Sequence, residues 1–283
     1  MMKTKYFAFA VLATMLASCS NEEGIITQVD NLKDTPITVN ALVGELTTRA
    51  GYDAENLPEQ FYLEIDNPDN DKYDYSALMK YENNAWVAYD ATTPENKITL
   101  LWQNSTTNVE VTAATYSLDT EQTALTVETD QSTADNIKAS DHLYYNASVA
   151  PSADGISVAF NHVMSKVLLT ITLGTEFDYE DNPIKELTID GITPLAISYS
   201  NPAAQYEVIL VPETKEAETF TVQFKVDGRA FKWTSADAVT LQSGYQYTLN
   251  LTAGKDLVSP TSFSATAWNT GEDESNNLEG ETE

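Results

Sequence analysis

Arginine occurs only twice in the chain, at Arg49 and Arg229, and cysteine once, at Cys19. Lysine and arginine together number 15 against 43 acidic residues, a formal charge of −28. A surface this negative repels phosphate backbones, which excludes nucleic acid as a partner. One cysteine permits no internal disulfide, and Cys19 lies outside any foldable domain, so thiol catalysis is excluded too. Histidine is as scarce as arginine. His142 sits in DHLYYNAS and His162 in FNHVMSK, and the two lack the spacing of a metal pair. No GxSxG, HExxH, phosphate-cradling glycine loop or dinucleotide fingerprint is present. The chain therefore reads as a non-enzyme, with no catalytic residue, no metal site and no cofactor.

Two further absences bear on fold. The acidic run DNPDNDKYD (66–74) does not make a calcium loop. Counted from Asp66, the sixth position is Asp71 where glycine is needed and the twelfth is Ala77 where glutamate is needed. Counted from Asp69 the same positions hold Asp74 and Lys80. Asn and Asp around Pro68 are what a solvated turn wants. Long amphipathic helical stretches are also missing; the best helical candidate is YSALMKYENN (75–84).

What is there is alternation. Ile37, Val39, Ala41 and Val43 fall at every second position, as do Phe61, Leu63 and Ile65, then Phe220, Val222, Phe224 and Val226. Period two buries one face of a strand and solvates the other. VLLTITL (167–173) and YEVILV (206–211) are almost continuously apolar and belong in the middle of a sheet. Turn clusters such as DNPDND, ATTPENK, PSADG and VDGR separate the runs. About fifteen short strands punctuated in this way predict antiparallel β-sandwiches. Hydrophobic residues at 42% and aromatics at 10% suffice for cores despite the charge. Fifteen strands exceed one ordinary sandwich, so two domains are expected, with the boundary in the PSADG region.

The N-terminus reads as an export signal. Lys3 and Lys5 precede an apolar run, too short for a transmembrane helix, and Leu16-Ala17-Ser18-Cys19 has the form of a lipobox. Cys19 is then the lipidation site and residues 1–18 the signal peptide. The C-terminal GEDESNNLEGETE has almost no apolar residues and is expected to be disordered.

In this order along the chain, several segments resemble the fimbrillin family of Bacteroidetes lipoprotein-derived pilins. They are the lipobox ending at Cys19, ITVNALVGELTTRAG, ITLLWQNSTTNVEVTAATYS, DHLYYNASV with GISVAFNHVMSKVLLTITL, LQSGYQYTLNLTAGKD and TAWNTGE. The short acidic SNEE beginning at Ser20 resembles the tags that send such lipoproteins to the cell surface. The resemblance implies an all-β chain of two transthyretin-like antiparallel sandwich domains in tandem. Its divisions would be a signal peptide (1–18), a lipidated propeptide with the first strand (19–49), two sandwiches (50–153 and 154–270) and an acidic tail (271–283). It also implies maturation by an arginine-specific protease that cuts after Arg49, making Ala50 the new N-terminus. The piece removed would carry the strand of Ile37, Val39, Ala41 and Val43.

A sandwich that loses a strand exposes unpaired backbone groups beside an apolar groove. A strand from another subunit can fill it, and head-to-tail filling propagates into a filament. Four buried apolar side chains would contribute about 6–10 kcal/mol to the joint before ordering costs. By family analogy the donor lies near the C-terminus, with TSFSATAW (261–268) as one candidate segment. Implied partners are other fimbrial subunits, the outer membrane through lipidated Cys19, the protease, and a host protein or glycan, at a surface-exposed fimbrium. The competing reading is a non-polymerising surface lipoprotein that acts as an adhesin or glycan-binding module. The Cys19→Ala variant should accumulate as an unlipidated, mislocalised precursor, which membrane fractionation with metabolic acyl labelling would detect; normal membrane attachment would overturn the lipobox.

Overall fold

The structure, a computed structural model, describes residues 31–44, 51–118, 125–177, 179–255 and 257–268. The expected signal peptide, Cys19, Arg49, Ala50 and the acidic tail lie outside the described residues. Seven strands form the first sheet: β1 (Val39–Val43), β2 (Gln60–Asp66), β3 (Tyr75–Glu82), β4 (Ala85–Asp90), β5 (Val109–Ala114), β6 (Leu143–Val149) and β7 (Ile156–His162). Their order across the sheet is β1-β7-β6-β5-β2-β3-β4. All neighbours are antiparallel except β1 and β7, which run parallel. Alternation works as expected on β2, where Phe61, Leu63 and Ile65 are buried and Gln60, Glu64 and Asp66 are exposed. These residues share one core with Val111, Leu143, Val158 and Phe160, and Phe61 meets both Trp86 and Phe160 edge-on.

Ten strands follow: β8 (Ser165–Leu173), β9 (Lys185–Ile189), β10 (Leu195–Ser200), β11 (Ala203–Leu210), β12 (Glu213–Lys215), β13 (Thr221–Val226), β14 (Arg229–Thr234), β15 (Val239–Leu241), β16 (Tyr245–Ala253) and β17 (Val258–Ala267). A five-stranded sheet, β10-β11-β8-β16-β17, shares a second core with the three-stranded sheet β14-β13-β9 and the ribbon β12-β15. The apolar runs of β8 and β11 pair with each other inside the larger sheet, as continuous hydrophobicity requires.

Two expectations need correcting. Residues 75–84 are β3 and the first half of a hairpin, not a helix. Asn83 and Asn84 both take positive φ (50° and 65°) between the paired Glu82 and Ala85, the geometry of a two-residue hairpin turn. Cross-strand burial of Ala77 and Met79 outweighs the helix propensity of Ala, Leu and Met. The one α-helix among the described residues is Ala134–Ser140 (α1), capped by the Thr133 side chain and anchored by fully buried Ile137; seven residues show too little periodicity to be seen in advance. β7 pairs into the first sheet, so the sheets change over between His162 and Ser165. Seventeen strands are described where about fifteen were expected; the three-residue β12 and β15 are too short to carry a pattern.

The changeover region is polar at its centre. Trp268 is fully buried, and its ring stacks on His162 at 3.8 Å and 8°. His162 Nδ1 lies 2.7 Å from Asp141 Oδ1 in a buried hydrogen bond, and Asp141 Oδ2 accepts from the Tyr52 backbone N–H at 2.9 Å. Lys166 lies under the Trp268 ring, 5.0 Å from its centroid, with Glu207 3.9 Å away. Burial pulls the Lys166 pKa down, and Glu207, Asp141 and Asp53 oppose that shift. Beside them the fully buried Gln131 amide donates to the Ile209 carbonyl and accepts from the Ile209 N–H, each at 2.8 Å, taking the place of a neighbouring strand. His162→Phe would keep the stack but remove the hydrogen bond to buried Asp141. It should cost about 1–3 kcal/mol in chemical denaturation; no loss would mean that the contact is not stabilising.

Candidate functional site

β1 is an edge strand. Val39 through Val43 pair with Ile156 through Phe160 of β7 in parallel register. Val39 and Val43 are buried, Ile37 and Ala41 are half-buried against the same core, and Leu42 points outward, 47% exposed. The two valines contribute about 1.5–3 kcal/mol each. The strand expected to be removable therefore fills a real groove, with the alternation read from the sequence.

The groove has a second wall. The stretch ahead of β1 runs along residues 98–102. Ile37 N–H donates to Leu100 O (2.9 Å), Trp102 N–H to Thr35 O (3.0 Å) and Asp34 N–H to Trp102 O (2.8 Å). Residues 97 and 98 in turn reach the outer edge of β4, through a Tyr89–Lys97 bridge and an Ile98 N–H bond to Ala88 O. The sheet is thus rolled, and residues 34–43 sit where its two edges meet. Trp102, 1% exposed, donates its indole N–H to Ser152 O at 3.1 Å and fixes this wall.

Gly155 sets how closely β1 can approach. It takes φ +82°, and a Cβ there would lie 2.0 Å from the Thr38 carbonyl oxygen. That same carbonyl accepts the Ile156 N–H at 2.8 Å, the bond that starts the ladder. Nothing in the sequence marks Gly155 beyond its place in the PSADG turn; its use is legible only once β1 is seen against it.

At the far end of the segment, Tyr73 Oη donates to Asp34 Oδ1 at 2.6 Å, which holds the tyrosine pKa above its ordinary value. Tyr73 closes the loop read above as a failed calcium site. That loop uses its own acceptors internally: Asn67 Oδ1 takes the Asp69 N–H and Asp74 Oδ1 the Asn67 N–H. Among the described residues no three His, Cys, Asp or Glu side chains are placed to hold a metal ion.

Of the other sequence-derived sites, Cys19, Arg49 and Ala50 lie outside the described residues. The described chain resumes at Gly51, whose carbonyl accepts from Asn56, and Lys138 Nζ holds the Asn56 side chain in turn. His142 meets the Thr126 carbonyl at 2.9 Å and the Tyr116 ring, a structural role. The suggested donor segment 261–268 is paired in this conformation: its residues 261–267 lie in β17 against β16, and Trp268 is buried at the changeover.

Gly155→Ala should loosen β1 selectively, since left-handed backbone alone costs about 1–2 kcal/mol and the clash adds to it. Hydrogen exchange should speed up across residues 38–43 before it does in β8 or β16. Uniform acceleration would show that the glycine serves the fold as a whole.

Solved structures of the same architecture include two from Bacteroides species. A candidate cell adhesion protein from Bacteroides ovatus aligns with TM-score 0.57 at 12% identity, over 81% of this chain and 97% of the other. A second, from Bacteroides uniformis, aligns with TM-score 0.51 at 15% identity, over 82% and 99%. At these identities the likeness establishes the fold. A sequence search among curated proteins returned no match. The fimbrillin-like family model matches residues 48–268, and on that extent of agreement the chain belongs to the fimbrillin-like family.

Proposed function

We propose that the chain is a structural subunit of a cell-surface fimbria that assembles by strand exchange. It is exported as a lipoprotein through Cys19 and held at the outer membrane. An arginine-specific protease then cuts after Arg49. β1 leaves with the propeptide, and a strand from another subunit takes its place.

The observation that carries this reading is the position of β1. It is an edge strand, its apolar face is buried, and its chain connection into the rest of the fold runs through residues 44–50. Cutting there leaves it held by non-covalent contacts alone. Its departure would uncover the β7 edge and the faces of Ile156, Val158 and Phe160, an acceptor for an extended strand. The family match begins at residue 48, so β1 lies outside the segment that the family model covers. The solved neighbours described as candidate cell adhesion proteins agree with a surface role. Such a role needs no catalytic group.

Digesting the chain from Asn21 with an arginine-specific protease, followed by an unboiled gel, tests the reading. Wild type should give a product starting at Ala50 and a ladder of SDS-resistant oligomers, and Arg49→Ala should stay folded and monomeric. A cut product that has lost residues 21–49 and still remains monomeric would favour the non-polymerising adhesin instead.

A further inference from the structure

We infer that the cut after Arg49 does not by itself free the first strand: the severed segment stays docked, held by a polar clasp at its other end, and that clasp sets how long the groove stays plugged. The inference rests on the maturation at Arg49 proposed above.

Residues 31–43 are held in two different ways. From Val39 onward, β1 is held by the β7 ladder and by apolar burial. Before it, the segment is gripped by side chains. Tyr73 Oη donates to Asp34 Oδ1 (2.6 Å), Leu32 N–H to Ser105 Oγ (3.3 Å), and Ser105 Oγ–H to Asn31 Oδ1 (3.0 Å). The backbone bonds of Asp34, Thr35 and Ile37 to Trp102 and Leu100 lie between these side-chain contacts and β1. The partners are themselves anchored. Tyr73 is 5% exposed and closes a 3-10 turn capped by Asn70, and Trp102 is pinned to Ser152. The segment's own turn is braced by the Thr35 hydroxyl on the Leu32 carbonyl (2.7 Å).

The cut and the clasp lie at opposite ends. After cleavage, the Val43 end has lost its covalent tether while the Asn31–Ile37 end keeps every bond. A replacing strand can therefore start pairing with β7 at the Val43 end and advance toward Val39, and opening the clasp is the last step. An incoming strand competes for the ladder and the apolar pockets. It gains the side-chain grip only if it carries a carboxylate for Tyr73 and a partner for Ser105. The clasp thus delays spontaneous release, keeps the groove covered, and favours exchange over an open intermediate that would aggregate.

Arg229→Lys leaves Arg49 as the only arginine, so an arginine-specific protease can make one defined cut. Native mass spectrometry of the cut chain from Asn21 should show peptide 21–49 still bound. Tyr73→Phe should shorten its residence about three- to tenfold, the range that one net hydrogen bond carries, and Ser105→Ala should shorten it further. Peptide missing at the first time point, or residence unchanged in the double variant, would overturn the inference. Resistance to the protease would instead overturn the maturation reading. Hydrogen exchange on the uncut chain then judges the clasp alone: residues 34–37 should exchange more slowly than 39–43 and lose that lead in Tyr73→Phe. The reverse order would sink it.

Discussion

The parallel pairing of β1 with β7, begun by the Thr38 carbonyl lying against Gly155, is what keeps the first sheet closed. The other strands of that sheet could pair without it, since they are ordinary antiparallel neighbours. Without it the rolled sheet would have an open seam between β7 and residues 98–102. Val39 and Val43 plug that seam with apolar surface, and residues 34–37 bridge to the opposite wall with backbone hydrogen bonds. A glycine at 155 is the steric condition for both, because any side chain there would occupy the space of the Thr38 carbonyl.

The second core is built differently. Its large sheet has β8 at the centre, paired on both sides along its length, and among the described residues the core takes no buried side chain from before Val167. The two halves meet at a polar centre where Asp141, His162, Trp268, Lys166 and Glu207 are all buried. Such groups are costly to bury without partners and specific once they have them. They tie the beginning of the shared fold at Tyr52 to its end at Trp268. β1 therefore lies at the seam of one sheet, while residues near both ends of the family-matched region are held at the polar centre.

Much of this was legible in the residue order. The alternations of 37–43, 61–65 and 220–226 gave strands where the structure has them, and the turn clusters separated them. Family membership followed from weak segments in the right succession. The helix expected at 75–84 failed because Ala, Leu and Met favour helices only until cross-strand neighbours bury them. α1 went unseen because seven residues make barely two turns.

By itself the sequence determined an acidic, all-β chain with two cores and a first strand amphipathic enough to fill a groove, because period-two patterning and turn chemistry are local properties. Only the tertiary structure decided that β1 runs parallel to β7, that Gly155 admits it, that Tyr73 and Ser105 grip the residues before it, and that His162 stacks on Trp268. Each of these joins residues far apart in the chain, and no local pattern records which distant atom will lie within hydrogen-bonding reach.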